Sequence, residues 1–299
     1  MEYRPLGRMK TVVMTGGTSG LGEYAAQRIL ETEGTRVLFG ARGRAGSKIE
    51  ALALDLTRLK SVREFAEAVT AKLADTPIDV LVLNAGAQFG NTRQRTEDGF
   101  EATFAVNHLA HYLLLQLLLP KLAEDAVVVI TTSDTHDPAL NPMAPKQLDP
   151  EALAHPRSSG GFTAGFRAYA SSKLCDLLTA RALAASGDAE SRNLRVVAYN
   201  PGLTPGTSLF RAWPFWARMM MGLAALMRPM ARLNTISQAG GTLADLALGR
   251  VVPPAGRIYA SLVKGRLTWP DPSELARDDD VMMRLWHDSA RMAGLADSH

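Results

Sequence analysis

The stretch Val12-Val13-Met14-Thr15-Gly16-Gly17-Thr18-Ser19-Gly20-Leu21-Gly22 decides the fold. Val12 to Thr15 read as a strand, glycines 16, 20 and 22 as a tight turn, and Leu21 to Glu33 as a helix ended by Gly34. Such a turn leaves free N–H groups at a helix start, where an anion is welcome. Three glycines allow the sharp reversal, the approach of a pyrophosphate and close packing of helix on strand. A glycine pattern by itself says little, because any strand and helix can be joined by glycines. The strand before it and the helix after it give it meaning.

Working outward, short β-branched runs alternate with helical patterns, the mark of βαβ units and a parallel sheet. Arg36 to Gly40 supplies a second strand and Ile49 to Leu54 a third. Ser61 to Leu73 carries apolar residues at 62, 65, 66, 69 and 73, one face of a helix. Ile78 to Leu83 is a fourth strand, Phe100 to Leu119 an apolar helix stopped by Pro120, and Ala126 to Thr132 a strand apolar enough to be buried on both faces. Arg167 to Ala185 reads as helix, Leu194 to Tyr199 as the sixth strand and Ile258 to Ala260 as a late one. Only Gly43 to Lys48 lie between the second strand and Ile49, too few for a helical crossover, so a loop is expected there. The expected fold class is α/β, a Rossmann-type doubly wound parallel sheet.

At 299 residues the chain has room for two domains, yet no Pro/Gly/Ser-rich linker divides it. One domain over residues 1–299 is expected, its cofactor-binding part about 11–135 and its catalytic and substrate part about 136–299. With 46% hydrophobic and 21% charged residues, disorder and fibrous architectures are excluded. A single cysteine, Cys175, excludes an internal disulfide or thiolate zinc site and suits a reducing compartment. The net charge is +3 with scattered basic residues, which gives no footprint for nucleic acid. No secretory signal follows Met1 to Lys10, and the apolar run Met219 to Met227 is too short to span a bilayer. A cytoplasmic protein without a transmembrane span is expected; weak peripheral membrane contact and homo-oligomerisation are left open.

The end of the second strand bears on the cofactor. A ribose 2′-OH would call for a carboxylate there, whereas the chain has Gly40-Ala41-Arg42-Gly43-Arg44. A 2′-phosphate suits Arg42 best, so NADP(H) is expected over NAD(H). The rival reading, that Arg42 and Arg44 are solvated surface charges, is what most arginines are.

Seven motifs in order then match one family. Thr15-Gly16-xxx-Gly20-x-Gly22, Asp55-Leu56, Asn84-Ala85-Gly86, Asn107, Ser133, Tyr169-Ala-Ser-Ser-Lys173 and Asn200-Pro201-Gly202 resemble the short-chain dehydrogenase/reductase family over about Thr11 to Thr207. Tyr169 and Lys173, four apart, share one helix face. A neighbouring ammonium and a cationic nicotinamide would favour the phenolate. The resemblance implies that Tyr169 exchanges a proton with the substrate oxygen, Lys173 lowers its pKa and holds the nicotinamide ribose, and Ser133 bonds the carbonyl as charge develops. It implies that Asn107 anchors a water relaying protons to Lys173, and that the cofactor carries the hydride. By the same resemblance Gly16, Thr18, Ser19, Gly20, Leu21, Gly22, Arg42, Asp55, Leu56, Asn84, Ala85, Gly86, Tyr169, Lys173, Pro201, Gly202 and Thr204 bind the cofactor. Asp55 would contact the adenine, with a turn-forming role as its rival. Taken singly, a helical Tyr packs, a Ser after a strand turns and an Asn caps; the matched order sets those readings aside.

His108 and His111, three apart on a helix, lack a carboxylate or thiolate at ligand spacing and read as packing or polar helix residues, so no metal is expected. His136 and His155 lie in an irregular stretch and give no signal, and Cys175 reads as a small buried hydrophobe.

Arg95 to Glu101 and Val106 to Tyr112 look like the branch holding retinol dehydrogenases and light-dependent protochlorophyllide reductases, which implies large apolar substrates. Leu209, Phe210, Trp213, Phe215, Trp216 and Met219 to Met221 fall where the family places its substrate loop, although a lid or subunit contact has the same pattern. Leu203 stands where protochlorophyllide reductases carry a Cys, which disfavours light-driven C=C reduction. The expected function is NADPH-dependent hydride transfer to or from a small hydrophobic carbonyl or alcohol. The alternatives are a C=C reductase and a non-catalytic NADP-sensing protein, the latter disfavoured by the retained Asn107, Ser133, Tyr169 and Lys173.

Overall fold

The computed structural model describes residues 8–42, 50–157, 160–206 and 233–295. Gly43 to Lys48, including Arg44, and the apolar residues from Leu209 to Met227 lie outside the described residues.

Strands form where apolar runs can be buried on both sides. β1 (Lys10–Thr15), β2 (Thr35–Ala41), β4 (Ile78–Leu83), β5 (Leu122–Thr131) and β6 (Arg195–Asn200) carry nearly continuous buried residues. Alternate side chains serve opposite cores: Val12, Met14, Val80, Val82, Val127 and Val129 face one, and Val13, Leu81, Leu83, Val128 and Ile130 the other. With β3 (Glu50–Ala53), β7 (Tyr259–Val263) and β8 (Arg266–Thr268) they make an eight-stranded sheet in the order β3-β2-β1-β4-β5-β6-β7-β8. All neighbours pair in parallel except β7 and β8, a closing antiparallel hairpin.

The helices form from the same two-sided burial. α1 (Gly20–Leu30) and α8 (Ile236–Ala247) cover one face. α2 (Leu59–Leu73), α3 (Ala102–Phe104), α4 (Ala110–Leu118), α6 (Phe162–Ala184) and α9 (Asp279–Met292) cover the other. Two short helices, α5 (Pro150–Ala154) and α7 (Gly187–Ser191), complete the connections. The chain is thus a doubly wound Rossmann-type fold. Strand order reverses between β1 and β4, and in such sheets ligands bind beyond the carboxyl ends of the strands at that reversal.

Several boundaries differ from the sequence reading for physical reasons. α1 stops at Leu30, three residues short of Glu33, and Gly34 takes a left-handed φ of 75° in the turn into β2. The apolar helix expected from Phe100 is broken by a wide π turn at Ala105–Leu109, which joins α3 to α4 and carries Asn107. By length and composition the stretch Ala102–Lys121 could cross a membrane, but 89% of its most apolar window is buried in the protein, as a core helix would be. β5 begins at Leu122, earlier than Ala126, because an irregularity at Asp125 (φ 58°) lets a short extra run pair with Ile78. The sequence reading missed α8 and α9. α8 announces itself through a capping box, in which Thr235 accepts from Gln238 N and the Gln238 side chain accepts from Thr235 N.

Candidate active site

Thr15 ends β1 at the strand-order reversal, and its hydroxyl joins three neighbouring segments. Its Oγ1 accepts from Asn84 N (3.0 Å) and Ala85 N (3.1 Å), binding the end of β1 to the turn after β4. It also lies 2.9 Å from His111 Nε2. The other ring nitrogen, Nδ1, is 2.8 Å from the Asn107 carbonyl, which can only accept, so Nδ1 carries the proton and Thr15 donates to Nε2. The pattern ties β1, β4 and the π turn together.

Gly16 (φ 69°) and Gly20 (φ 60°) sit in the left-handed region. A Cβ on Gly16 would lie 2.7 Å from the Ala85 backbone, and one on Gly22 would lie 1.9 Å from the Gly16 carbonyl oxygen. The turn is therefore a cradle that only glycine can line, opening on α1 with Ser19 as its N-cap, whose side chain makes no capping bond. Gly17, not singled out from sequence, is forced too, since a Cβ there would strike the Phe39 ring at 2.4 Å.

The cradle opens into a cavity of about 670 Å³. Among the expected residues, Gly16, Thr18, Ser19, Gly20, Leu21 and Gly22 line it, as do Arg42, Asp55, Leu56, Asn84, Ala85 and Gly86. Ser133, Tyr169, Lys173, Pro201, Gly202 and Thr204 line it from the other side. The volume lies within the ~300 to 1,000 Å³ of small-molecule and cofactor sites, and the glycine cradle meets the demand of a pyrophosphate for bare backbone. The residues present thus fit a dinucleotide.

Asn107 stands behind the cavity wall. Its Oδ1 accepts from Ala87 N (2.8 Å), while its Nδ2 donates to Ala87 O (2.9 Å) and Ser172 Oγ (2.9 Å). It thereby holds the turn after Gly86 in place. π turns are rare and concentrate at functional sites; here the Asn107 carbonyl accepts from the His111 ring. Asp55 faces the cavity and also shapes its own turn, its Oδ1 accepting from Thr57 N (3.0 Å) and Thr57 Oγ1 (2.8 Å). Both of its weighed roles are compatible with this placement. Arg42 is an exposed residue at the carboxyl end of β2, at the cavity rim.

Tyr169, Lys173 and Ser133 come together at the carboxyl end of β5. Ser133 and Tyr169 share the cavity wall, and Lys173 Nζ lies 6.0 Å from the centroid of the Tyr169 ring. Burial pushes the phenol well above its usual value, the Asp176 carboxylate and Asp134 push the same way, and Ser133 pulls down. Lys173 Nζ donates to Thr131 O (2.9 Å) and to Asp176 Oδ2 (2.8 Å). The lysine and aspartate side chains are only 4% and 3% exposed. Asp176, which sequence reasoning passed over, is the missed residue; its signal was a carboxylate three residues past Lys173 on a helix otherwise apolar there.

The histidines are packed as expected. His108 Nε2 lies 2.7 Å from Ser289 Oγ of α9, and His108 stacks near Phe104 and Tyr112. His136 gave no signal in sequence yet is buried, donating from Nδ1 to Ser133 O (2.6 Å) and lying edge-on to Tyr259. Cys175 is buried. Burial depresses His108 to about 3, with His111 and Lys173 adding to it, and depresses His111 to about 4. Because His108 stays neutral in the fold while the unfolded chain protonates below pH ~6.5, its contribution to stability is lost as pH falls from there toward 3. From pH 7.5 to pH 5 the wild type should lose ~2 kcal/mol relative to His108→Gln. Urea unfolding of both proteins at both pH values measures this; an unchanged gap would contradict the burial of a neutral imidazole.

Comparison with known proteins agrees with this geometry. The short chain dehydrogenase family matches residues 10–141. Dehydrogenase/reductase SDR family member 13 of Bos taurus is 34% identical over 96% of this chain and 74% of its own length. WW domain-containing oxidoreductase of Danio rerio is 30% identical over 95% of this chain and 68% of its own. A solved structure of an uncharacterized protein from Mycobacterium paratuberculosis superposes with a TM-score of 0.71 at 26% identity, covering 96% of this chain and 94% of that one. The chain belongs to the short-chain dehydrogenase/reductase family of oxidoreductases.

Proposed function

We propose that this protein is an NADPH-dependent oxidoreductase acting on a hydrophobic carbonyl or alcohol, with Tyr169 as the acid–base. One observation carries the reading: Ser133, Tyr169 and Lys173 meet on the wall of a single cavity whose far end is a cradle only glycine can line. Bound NADP(H) would supply the hydride. Gly16, Gly20 and Gly22 with the start of α1 would receive the pyrophosphate, and Asn84 to Gly86 would pass beneath a ribose. Ser133 would donate to the substrate oxygen and Tyr169 would give or take its proton. Gly86 lies against both Lys173 and Asn107, a Cβ there being 3.7 Å from each polar group, so the lysine borders the ribose position.

The mouth supports an apolar substrate of the kind the retinol dehydrogenase branch implies. Phe89, Leu140, Phe166, Leu203 and Leu233 line it, and Leu140 and Leu203 are exposed. Gln88 also faces the cavity and its buried Nε2 has no partner among the described residues, a donor for a second polar group on the ligand. The cofactor preference rests on Arg42, with Gly40 and Ala41 leaving no acid to repel a 2′-phosphate. Arg42→Ala should weaken NADPH binding ~10-fold, about one charge-assisted hydrogen bond, and leave NADH unchanged. Fluorescence titration of both cofactors checks this; equal losses for the two would reject the 2′-phosphate role.

Loss of nicotinamide absorbance with a panel of apolar aldehydes and ketones tests the activity itself. Consumption that depends on Tyr169 is expected. Tight NADPH binding with no consumption across the panel would favour the sensor reading.

A further inference from the structure

A carboxylate buried three residues from Lys173 has no place in the chemistry above. Asp176 lies on the stretch of α6 where every residue from Tyr169 to Ala180 is buried. Removing a carboxylate from water is costly, and the charge persists inside only where a cation and hydrogen bonds answer it. The Lys173 ammonium, 2.8 Å from Oδ2, is that answer. A lysine has three N–H donors. Here one is given to Asp176 and one to the Thr131 carbonyl.

We propose that Asp176 is a positioning residue that locks the Lys173 ammonium between itself and Thr131 and balances its charge, so that one donor remains for a ribose hydroxyl and Tyr169 keeps its proton more firmly. This rests on the acid–base role proposed for Tyr169. An uncompensated ammonium stabilises a nearby phenolate, whereas an ammonium already paired with a carboxylate is nearly neutral as seen from the phenol. The site would then hold its proton until the cationic nicotinamide arrives, which favours the protonated tyrosine needed to reduce a carbonyl. Burial raises the Asp176 carboxyl to about 7 against the pull of Lys173, in keeping with a charge kept only by its partner.

The other groups facing this cluster do not replace it. Asp134, after β5, acts on Tyr169 in the same sense as Asp176. His108 of the π turn and His111 of α4 are neutral by burial, and the Cys175 thiol beside Asp176 is pushed up by burial. Glu101, the N-cap of α3, is held by Phe104 N and Thr103 Oγ1. From α9, Asp279 pairs with Arg181 at the far end of α6, and Ser289 meets His108. Arg277 and Asp188, on neighbouring segments, are exposed.

The test is the ionisation of Tyr169, read as phenolate absorbance in each protein minus the same protein with Tyr169→Phe. Asp176→Asn should move that titration at least one pH unit toward acid, a tenfold change in the ionisation constant. The alkaline limb of carbonyl reduction should move with it. Asp176→Glu, which restores the charge, should return the titration to within ~0.3 unit of wild type. Should Asp176→Asn not fold, Asp176→Ser is small enough for the site, can accept from the ammonium and should give the same shift. An Asn or Ser variant whose titration coincides with wild type, or a Glu variant displaced as far as Asn, would overturn the proposal. A merely structural Asp176 would lower stability in Asp176→Asn without moving the titration. The absorbance titration needs no turnover, so an inactive wild type would sink the proposed function alone.

Discussion

Tyr169→Phe should bind NADPH with wild-type affinity and lose turnover by 10²- to 10⁴-fold, the range that a positioned acid–base contributes. The variant removes one oxygen and leaves the ring packed near Phe166, whose centroid is 6.4 Å away, so the fold should be untouched. Ser133 keeps its contact with Thr135 N (3.3 Å). Steady-state rates beside cofactor titration separate the two effects. A variant that turns over at the wild-type rate would remove Tyr169 from the chemistry, and one that fails to bind cofactor would make it a binding residue.

Gly22→Ala should be the most damaging single substitution in the cradle. Its Cβ would lie 1.9 Å from the Gly16 carbonyl oxygen and 2.5 Å from Asn84 Nδ2. Neither can retreat cheaply: Gly16 is hemmed in by the Ala85 backbone, and Asn84 Nδ2 donates to that same Gly16 carbonyl (3.1 Å). The turn must deform, at a cost of ~3 kcal/mol or more, and NADPH affinity should fall more than 100-fold. Gly34→Ala is the control. It has a left-handed φ of 75° but open space around the new Cβ, so it should cost only ~1 to 2 kcal/mol and spare binding. Chemical denaturation and cofactor titration of both variants decide; equal losses of affinity would show that the cradle is not specific.

Much of this architecture is legible in the sequence because its signals are local. Val12 to Gly22 states strand, turn and helix within eleven positions, and three of the glycines that the cradle requires, 16, 20 and 22, are ones the pattern singles out. Tyr169 and Lys173 declare a shared face by their spacing alone. The lining of the cavity is equally legible, since residues just after strands at a strand-order reversal face the crevice.

The features that escaped the sequence depend on contacts between distant positions. Nothing near Asn107 announces a π turn, or that His111 bonds the Asn107 carbonyl while reaching Thr15, 96 residues away. Gly17 looks interchangeable until the Phe39 ring is seen to press on it. Asp176 reads as an ordinary helical acid unless its burial is known, for a carboxylate in water and one sealed against Lys173 are written with the same letter. The carboxy-terminal helix also escaped the sequence reading, yet α9 closes the core through Leu285 and Trp286, the latter edge-on to Tyr112 with centroids 5.0 Å apart.

The most direct test of the proposed activity traces the hydride. NADPH carrying deuterium at the transferable position of its nicotinamide is incubated with the protein and an apolar aldehyde, and the alcohol is analysed by mass spectrometry. One deuterium on the carbinol carbon is expected with the wild type and essentially none with Tyr169→Phe. Saturated cofactor binding by the wild type with no deuterium in any product, across aldehydes and ketones, would contradict hydride transfer to a carbonyl.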